Sequence, residues 1–162
     1  MPAFSDTLFG TVSNGETSIY KDITIINADA YKADNSLAEV KLQEIKSIGE
    51  RAFMNCTSLI KVDMSDSLPT EIGESAFEGC TGLTSIAIPD SVTEIGEWAF
   101  CDCTGLTNVV IGNSVKIIGN DAFDGCTNLK AIIVPERMTD HFKNLLPKEL
   151  HHLIVEKRSD RH

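Results

Sequence analysis

The sequence predicts an α/β solenoid: stacked repeats with a parallel sheet on one face, short helical or 3₁₀ turns opposite, and a cap at each end. Three observations predict it. First, one segment recurs: Ile72 opens IGESAFEGCTGLTSIAIPDSVTE, Ile95 opens IGEWAFCDCTGLTNVVIGNSVKI and Ile118 opens IGNDAFDGCTNLKAIIVPE. Upstream, Ile48 opens IGERAFMNCTSLIKVDMSDSLPTE, and Ile26 opens an eroded copy with Asn27 for the Gly, Tyr31 for the Phe and Asp34 for the Cys. The five start points lie 22, 24, 23 and 23 residues apart, a spacing in the solenoid range. Second, each copy ends in a pattern such as Leu83, Ile86, Ile88, whose period of two marks a half-buried strand. Third, Ile72 to Cys80 is too short for an ordinary helix and carries Gly73 and Gly79, so it reads as a helical or 3₁₀ turn that drops Phe77 inward. One such unit cannot bury its own apolar face, but stacked units can, with strands about 4.7–4.9 Å apart.

The shared pattern L-x-x-I-x-I-P-x-S-V-T-x-I-G-x-x-A-F-x-x-C-T-x-L resembles the BspA-like, treponemal-type leucine-rich repeat family over roughly Ile26 to Pro135. The resemblance implies a right-handed leucine-rich-repeat stack that binds proteins, often as a surface adhesin, without chemistry of its own. That functional step is an analogy, since a fold does not dictate a function.

Composition narrows the field. The chain has 162 residues, 42% of them hydrophobic, which suits one domain with a core. A net charge of −10 argues against nucleic acid and anionic membrane as partners. The acidity is concentrated: Val62 to Val115 holds nine Asp and Glu and neither Lys nor Arg, whereas Lys157, Arg158 and Arg161 cluster at the C-terminus. MPAFSDTLFG lacks the charged and apolar regions of a signal peptide, and no apolar run is long enough to cross a membrane. A cytoplasmic location is therefore the default expectation, with the cell surface or secretion as the alternative if a leader was removed.

In chain order, residues 1–25 read as an N-terminal cap: Asn14-Gly15 is a two-residue hairpin signal, and Ile19, Lys21, Ile23, Ile25 alternate along its second arm. Residues 26–135 carry the five repeats. Residues 136–156 read as the C-terminal cap. There Met138, Phe142 and Leu145 share a helix face that Pro147 stops, and Leu150, Leu153 and Val155 restore a final strand beside Leu129, Ile132 and Val134. Residues 157–162 are expected to form a loose tail.

Several side chains could carry chemistry. Cys56, Cys80, Cys103 and Cys126 share one repeat position, so their spacing reflects the repeat; free thiols packed as small hydrophobes are expected, with disulfides between rungs as the alternative. Cys101 falls at an outward position held elsewhere by Met54, Glu78 and Asp124, which predicts one accessible thiol. His141, His151, His152 and His162 crowd the last 22 residues but lack metal-ligand spacing, and read as exposed cap residues. Glu50, Glu74 and Glu97 form one acidic column and Glu71 and Glu94 another; a solvated flank is expected, with Ca²⁺ binding as the alternative. No nucleophile motif, phosphate loop or acid/base pair departs from the repeat, so neither an enzyme nor a cofactor is expected.

The expected function is partner-protein binding through the sheet face. The residues flanking the inward Ile positions project outward in two columns. One holds Glu39, Lys61, Ser85, Asn108, Ala131 and His152; the other holds Lys41, Asp63, Ala87, Val110, Ile133 and Ile154. Lys61, Asp63 and every later member are the candidate contacts. Toward the C-terminus these columns turn apolar, and Val110 and Ile133 are expected to be exposed in the monomer. The alternatives are a self-associating building block, pairing as a homodimer through that end, and a carbohydrate-binding module, for which Trp98 is the sole stacking residue.

Overall fold

The computed structural model describes residues 16–19 and 24–158. The proposed Asn14-Gly15 hairpin lies outside them. Strands of four to six residues alternate with two-residue strands as far as Ile118, and all ladders among the described residues are parallel. β1 (Glu16–Ile19), β3 (Glu39–Gln43) and β5 (Lys61–Asp66) form one sheet. β7 (Ser85–Ile88), β9 (Asn108–Ile111), β11 (Ala131–Val134) and β12 (Ile154–Glu156) form a second. The two-residue strands β2 (Ile25–Ile26), β4 (Ser47–Ile48), β6 (Glu71–Ile72), β8 (Glu94–Ile95) and β10 (Ile117–Ile118) form a third. β1 pairs in parallel with β3, Glu16 beside Glu39, and so adds a strand to the stack. Ile25, the last residue of the alternating arm, is 53% exposed, while Ile26 beside it is buried.

The core follows the repeat. Phe53, Phe77, Phe100 and Phe123 stack ring on ring at 5.2–5.4 Å with interplanar angles of 2–4°, and Tyr31 extends the column at 5.4 Å and 24°. Beside them runs a thiol ladder. The sulfurs of Cys56, Cys80, Cys103 and Cys126 each donate to a carbonyl of the preceding rung, those of Tyr31, Phe53, Phe77 and Phe100, all at 3.1 Å. A buried carbonyl thus gains a partner that costs little volume. All five cysteines are free.

The segments expected to form helical or 3₁₀ turns are runs of single tight turns without a continuous helix. Each turn places two residues four apart at positive φ: Asp29 and Ala33, Arg51 and Asn55, Ser75 and Gly79, Trp98 and Asp102, Asp121 and Gly125, at 54–75°. Left-handed residues at that spacing interrupt any helix. The backbone N–H groups alternate in role. Those of Ala52, Met54 and Cys56 close tight turns onto the carbonyls of Gly49, Arg51 and Phe53. Those of Arg51, Phe53 and Asn55 donate to Glu74, Ala76 and Glu78 of the next rung at 2.7–2.8 Å. The turn face is therefore itself a ladder, and that ladder sets its conformation.

At the C-terminal end, α1 (Thr139–Leu145) buries Phe142 completely, with Met138 and Leu145 packed against the core. A 3₁₀ segment, Lys148–Leu153, then leads into β12. This corrects the expected last strand: Ile154 lies beside Ile132 and Val155 beside Ile133, one residue out of the anticipated register. The 3₁₀ turn lets Leu150, Leu153 and Ile154 all reach the core, and a slip of one residue exchanges the two faces of a strand. Two histidines expected to be solvent-exposed instead clamp this cap. His141 Nε2 bonds the Val115 carbonyl at 2.7 Å and His151 Nε2 the Leu146 carbonyl at 3.0 Å, both side chains partly buried.

Burial of the thiol ladder predicts a pH dependence. Desolvation pushes Cys56 up to about 11 and Cys80 and Cys126 to about 12, from 9.0, and raises Cys103 as well. Tyr31 is raised from 10.0 to about 12, again mainly by burial. The folded state then holds protons that the unfolded chain releases above about pH 9, so stability is full below that point and falls as pH rises toward 11–12. Melting temperatures measured from pH 8 to 11 should fall more steeply for the parent than for Cys80→Ala. A curve for Cys80→Ala as steep as the parent's would contradict the assignment.

Candidate interaction surface

The strands place the outward columns as follows. β3 and β5 set Glu39 beside Lys61 and Lys41 beside Asp63. β7, β9 and β11 align Ser85, Asn108 and Ala131 in one column and Ala87, Val110 and Ile133 in the next. Between β5 and β7 the backbone ladder is interrupted, which divides the face into two halves. The division falls in the rung that begins at Ile48, the one of 24 residues.

The two halves differ in chemistry. In the N-terminal half two of the four column charges, Lys41 and Asp63, are engaged within the chain. Lys41 Nζ lies 3.1 Å from the Asp66 carboxylate, and the hydroxyl and N–H of Ser65 donate to Asp63 Oδ1 at 2.6 and 2.9 Å. Those two hydrogen bonds, the hydroxyl's first, hold the Asp63 carboxyl below its ordinary range. The C-terminal half presents Ala87, Val110, Ile133 and Val155 on successive strands. Val155 is 51% exposed and stands where Ile154 was expected; Ile154 is partly buried beside Ile132, and exposed His152 belongs to the 3₁₀ segment and not to the Asn108–Ala131 column.

Val110 and Ile133, expected to be open, are half-buried. The chain beyond β12 runs alongside them, with the Lys157 N–H donating to the Val134 carbonyl at 2.7 Å. Together with Asp90, Glu136, Lys157 and Arg158 they line a cavity of about 500 Å³. An apolar stripe thus leads into a recess with two carboxylates and two cations at its rim, which suits a protein surface with an apolar centre and polar edge.

Other candidates fall differently. Cys101, expected to be accessible, is only 9% exposed. Burial, then the neighbouring carboxylates of Asp102, Glu78, Asp124 and Asp121, push its thiol up to about 11, so it is not a reactive thiolate at neutral pH. Its sulfur and carboxylate oxygens of Glu78 and Asp102 lie within 4.8 Å of one another. Sequence reading missed this cluster because its members sit on two adjacent rungs. It offers one thiolate and two carboxylates, short of the closed four-ligand set of a structural zinc site. Among the described residues, the acidic columns proposed for Ca²⁺ are not where three potential ligands meet; Glu71 accepts a hydrogen bond from the Ser47 hydroxyl at 3.1 Å. Trp98 is 40% exposed on a left-handed turn residue, and no other aromatic is among the large exposed hydrophobics of the described residues. No described helix is long and apolar enough to cross a membrane.

Comparison with known proteins places this geometry. The family model for the BspA type leucine rich repeat region matches residues 46–148 in six copies. A leucine rich cell surface protein of Faecalibacterium prausnitzii A2-165 superposes with a TM-score of 0.70 at 36% identity, over 75% of this chain and 32% of its own. A leucine-rich repeat protein of T. pallidum gives 0.66 at 29% identity, over 82% of this chain and 70% of its own. One from Bacteroides ovatus ATCC 8483 gives 0.63 at 28% identity, over 88% and 42%. The chain thus spans about a third of the F. prausnitzii protein and less than half of the B. ovatus one. No curated protein matches it significantly.

Proposed function

Because the chain belongs to the BspA type leucine-rich repeat family, we propose that it is a protein-interaction module whose contact is the C-terminal half of its sheet face. One observation carries this reading: Ala87, Val110, Ile133 and Val155 form an uncharged stripe across four paired strands, while the other half presents the charged residues Glu39, Lys41, Lys61 and Asp63. A contiguous apolar stripe with a polar rim is the usual mark of a contact surface. The likeness to a leucine rich cell surface protein favours an adhesin-like setting. We read the module as non-catalytic, since its ladder thiols are committed to backbone carbonyls of the core.

The second reading, that the stripe meets a second copy, draws on the same apolar residues. Val110→Asp with Ile133→Asp tests both. The side chains are half-buried and do not face the core, so the double variant is expected to melt within about 2–4 °C of the parent. It should lose the proteins that the parent captures from extracts of its source cells. Light scattering over a concentration series then separates the readings: a mass that stays monomeric favours a foreign partner, and one that rises for the parent alone favours a second copy. A double variant that captures the same proteins and associates like the parent would remove the stripe as the site.

A further inference from the structure

The stack ends differently on its two sides. On the main sheet β12 pairs with β11, with α1 and the 3₁₀ segment supplying the rest of the cap. On the turn face the ladder simply stops. The N–H groups of Trp98, Phe100 and Asp102 donate to the carbonyls of Asn120, Ala122 and Asp124 at 3.1, 2.8 and 2.7 Å. Their counterparts one rung on, those of Asp121, Phe123 and Gly125, have no acceptor among the described residues. All three residues line a cavity of about 570 Å³, and Leu145, Leu146 and Leu150 of the cap also line it. Among the described residues, its charged lining residues are Asp121, Asp124 and Glu149.

Three donors at alternate positions, unpaired among the described residues, form an open ladder edge, and such an edge binds the carbonyls of an added extended segment. The leucines offer burial to that segment's apolar side chains, and the carboxylates select for positive charge. A second copy of this chain, with a net charge of −10, would bring like charge to an acidic site. We propose that this end cavity is a second docking site, distinct from the sheet face, for an extended basic peptide. Its carbonyls accept from Asp121, Phe123 and Gly125, and its basic side chains meet Asp121, Asp124 and Glu149.

The probe is the blocked hexapeptide acetyl-Lys-Val-Lys-Val-Lys-Val-amide, titrated into the ¹⁵N-labelled chain. In the free protein the amides of Asp121, Phe123 and Gly125 should exchange with solvent faster than those of Trp98, Phe100 and Asp102. On titration their resonances should shift and their exchange should slow. Asp121→Lys with Asp124→Lys should weaken binding about tenfold. That variant keeps its backbone, because Arg51 holds the place of Asp121 at the same positive φ and Lys32 stands in the place of Asp124; an unchanged melt confirms it. The sheet-face double variant should bind the peptide like the parent, which keeps the two sites separable. The proposal is overturned by no shift in the three amides at saturating peptide, by shifts confined to the sheet face, or by equally tight binding of the glutamate counterpart of the peptide.

Discussion

Phe100→Ala is expected to destabilise the chain by about 3–5 kcal/mol, lowering Tm by roughly 6–20 °C. The ring is fully buried and lies between Phe77 at 5.3 Å and Phe123 at 5.4 Å, nearly parallel to both. Removing it leaves a void that the flanking rungs cannot close. Their spacing is fixed by the Phe77 N–H bond to the Ala99 carbonyl and the Phe100 N–H bond to the Ala122 carbonyl, both 2.8 Å. A site that cannot collapse lies at the costly end of large-to-small substitutions. Tyr31→Ala should cost less, because among the described residues Tyr31 is stacked on one side only, and its ring is tilted by 24°. Thermal melts followed by circular dichroism check both, and a Phe100→Ala curve that overlays the parent would refute the ladder as a source of stability.

The stack was legible in the sequence because each rung needs the same apolar atoms in the same places. The starting Ile, the Phe and Cys of the turn and the strand pattern therefore recur, and recurrence is read directly. The turn conformation was not legible. Arg51, Ser75, Trp98 and Asp121 share a positive φ with no common side-chain chemistry, because the ladder between rungs imposes it and no residue preference announces it. The outward columns were readable up to Ile133, where strand follows strand at the repeat spacing. Beyond it a 3₁₀ turn of no repeat length shifted the register and exchanged Ile154 for Val155. Cys101 misled for a related reason. Its position points away from the core, yet the neighbouring rungs bring Glu78 and Asp124 around it, and a single rung's pattern does not contain its neighbours.

Gly96→Ala is the second large effect expected, about 3 kcal/mol and roughly 6–12 °C in Tm. A Cβ at this position would lie 2.6 Å from the Glu74 nitrogen and 2.7 Å from the Gly73 carbonyl carbon, both backbone atoms of the rung behind. Backbone cannot give way as a side-chain tip can, so the rungs must separate. Separation strains the bonds that cross there, the Gly96 N–H to the Ile72 carbonyl and the Ser75 N–H to the Glu97 carbonyl, at 2.8 and 2.9 Å. Gly49 and Gly73 meet the same obstacle, at 2.7 Å from backbone of the rung before them. The eroded first copy offers a test of this cause. It carries Asn27 at the equivalent place, where its own described neighbour is the rung ahead, whose Gly49 N–H bonds the Ile26 carbonyl at 2.8 Å. Gly96→Asn should therefore be at least as damaging as Gly96→Ala, whereas Asn27→Gly should change Tm by no more than about 2–4 °C. Comparable losses from Asn27→Gly and Gly96→Asn, or a Gly96→Ala variant that melts with the parent, would show that close approach between rungs is not what requires this glycine.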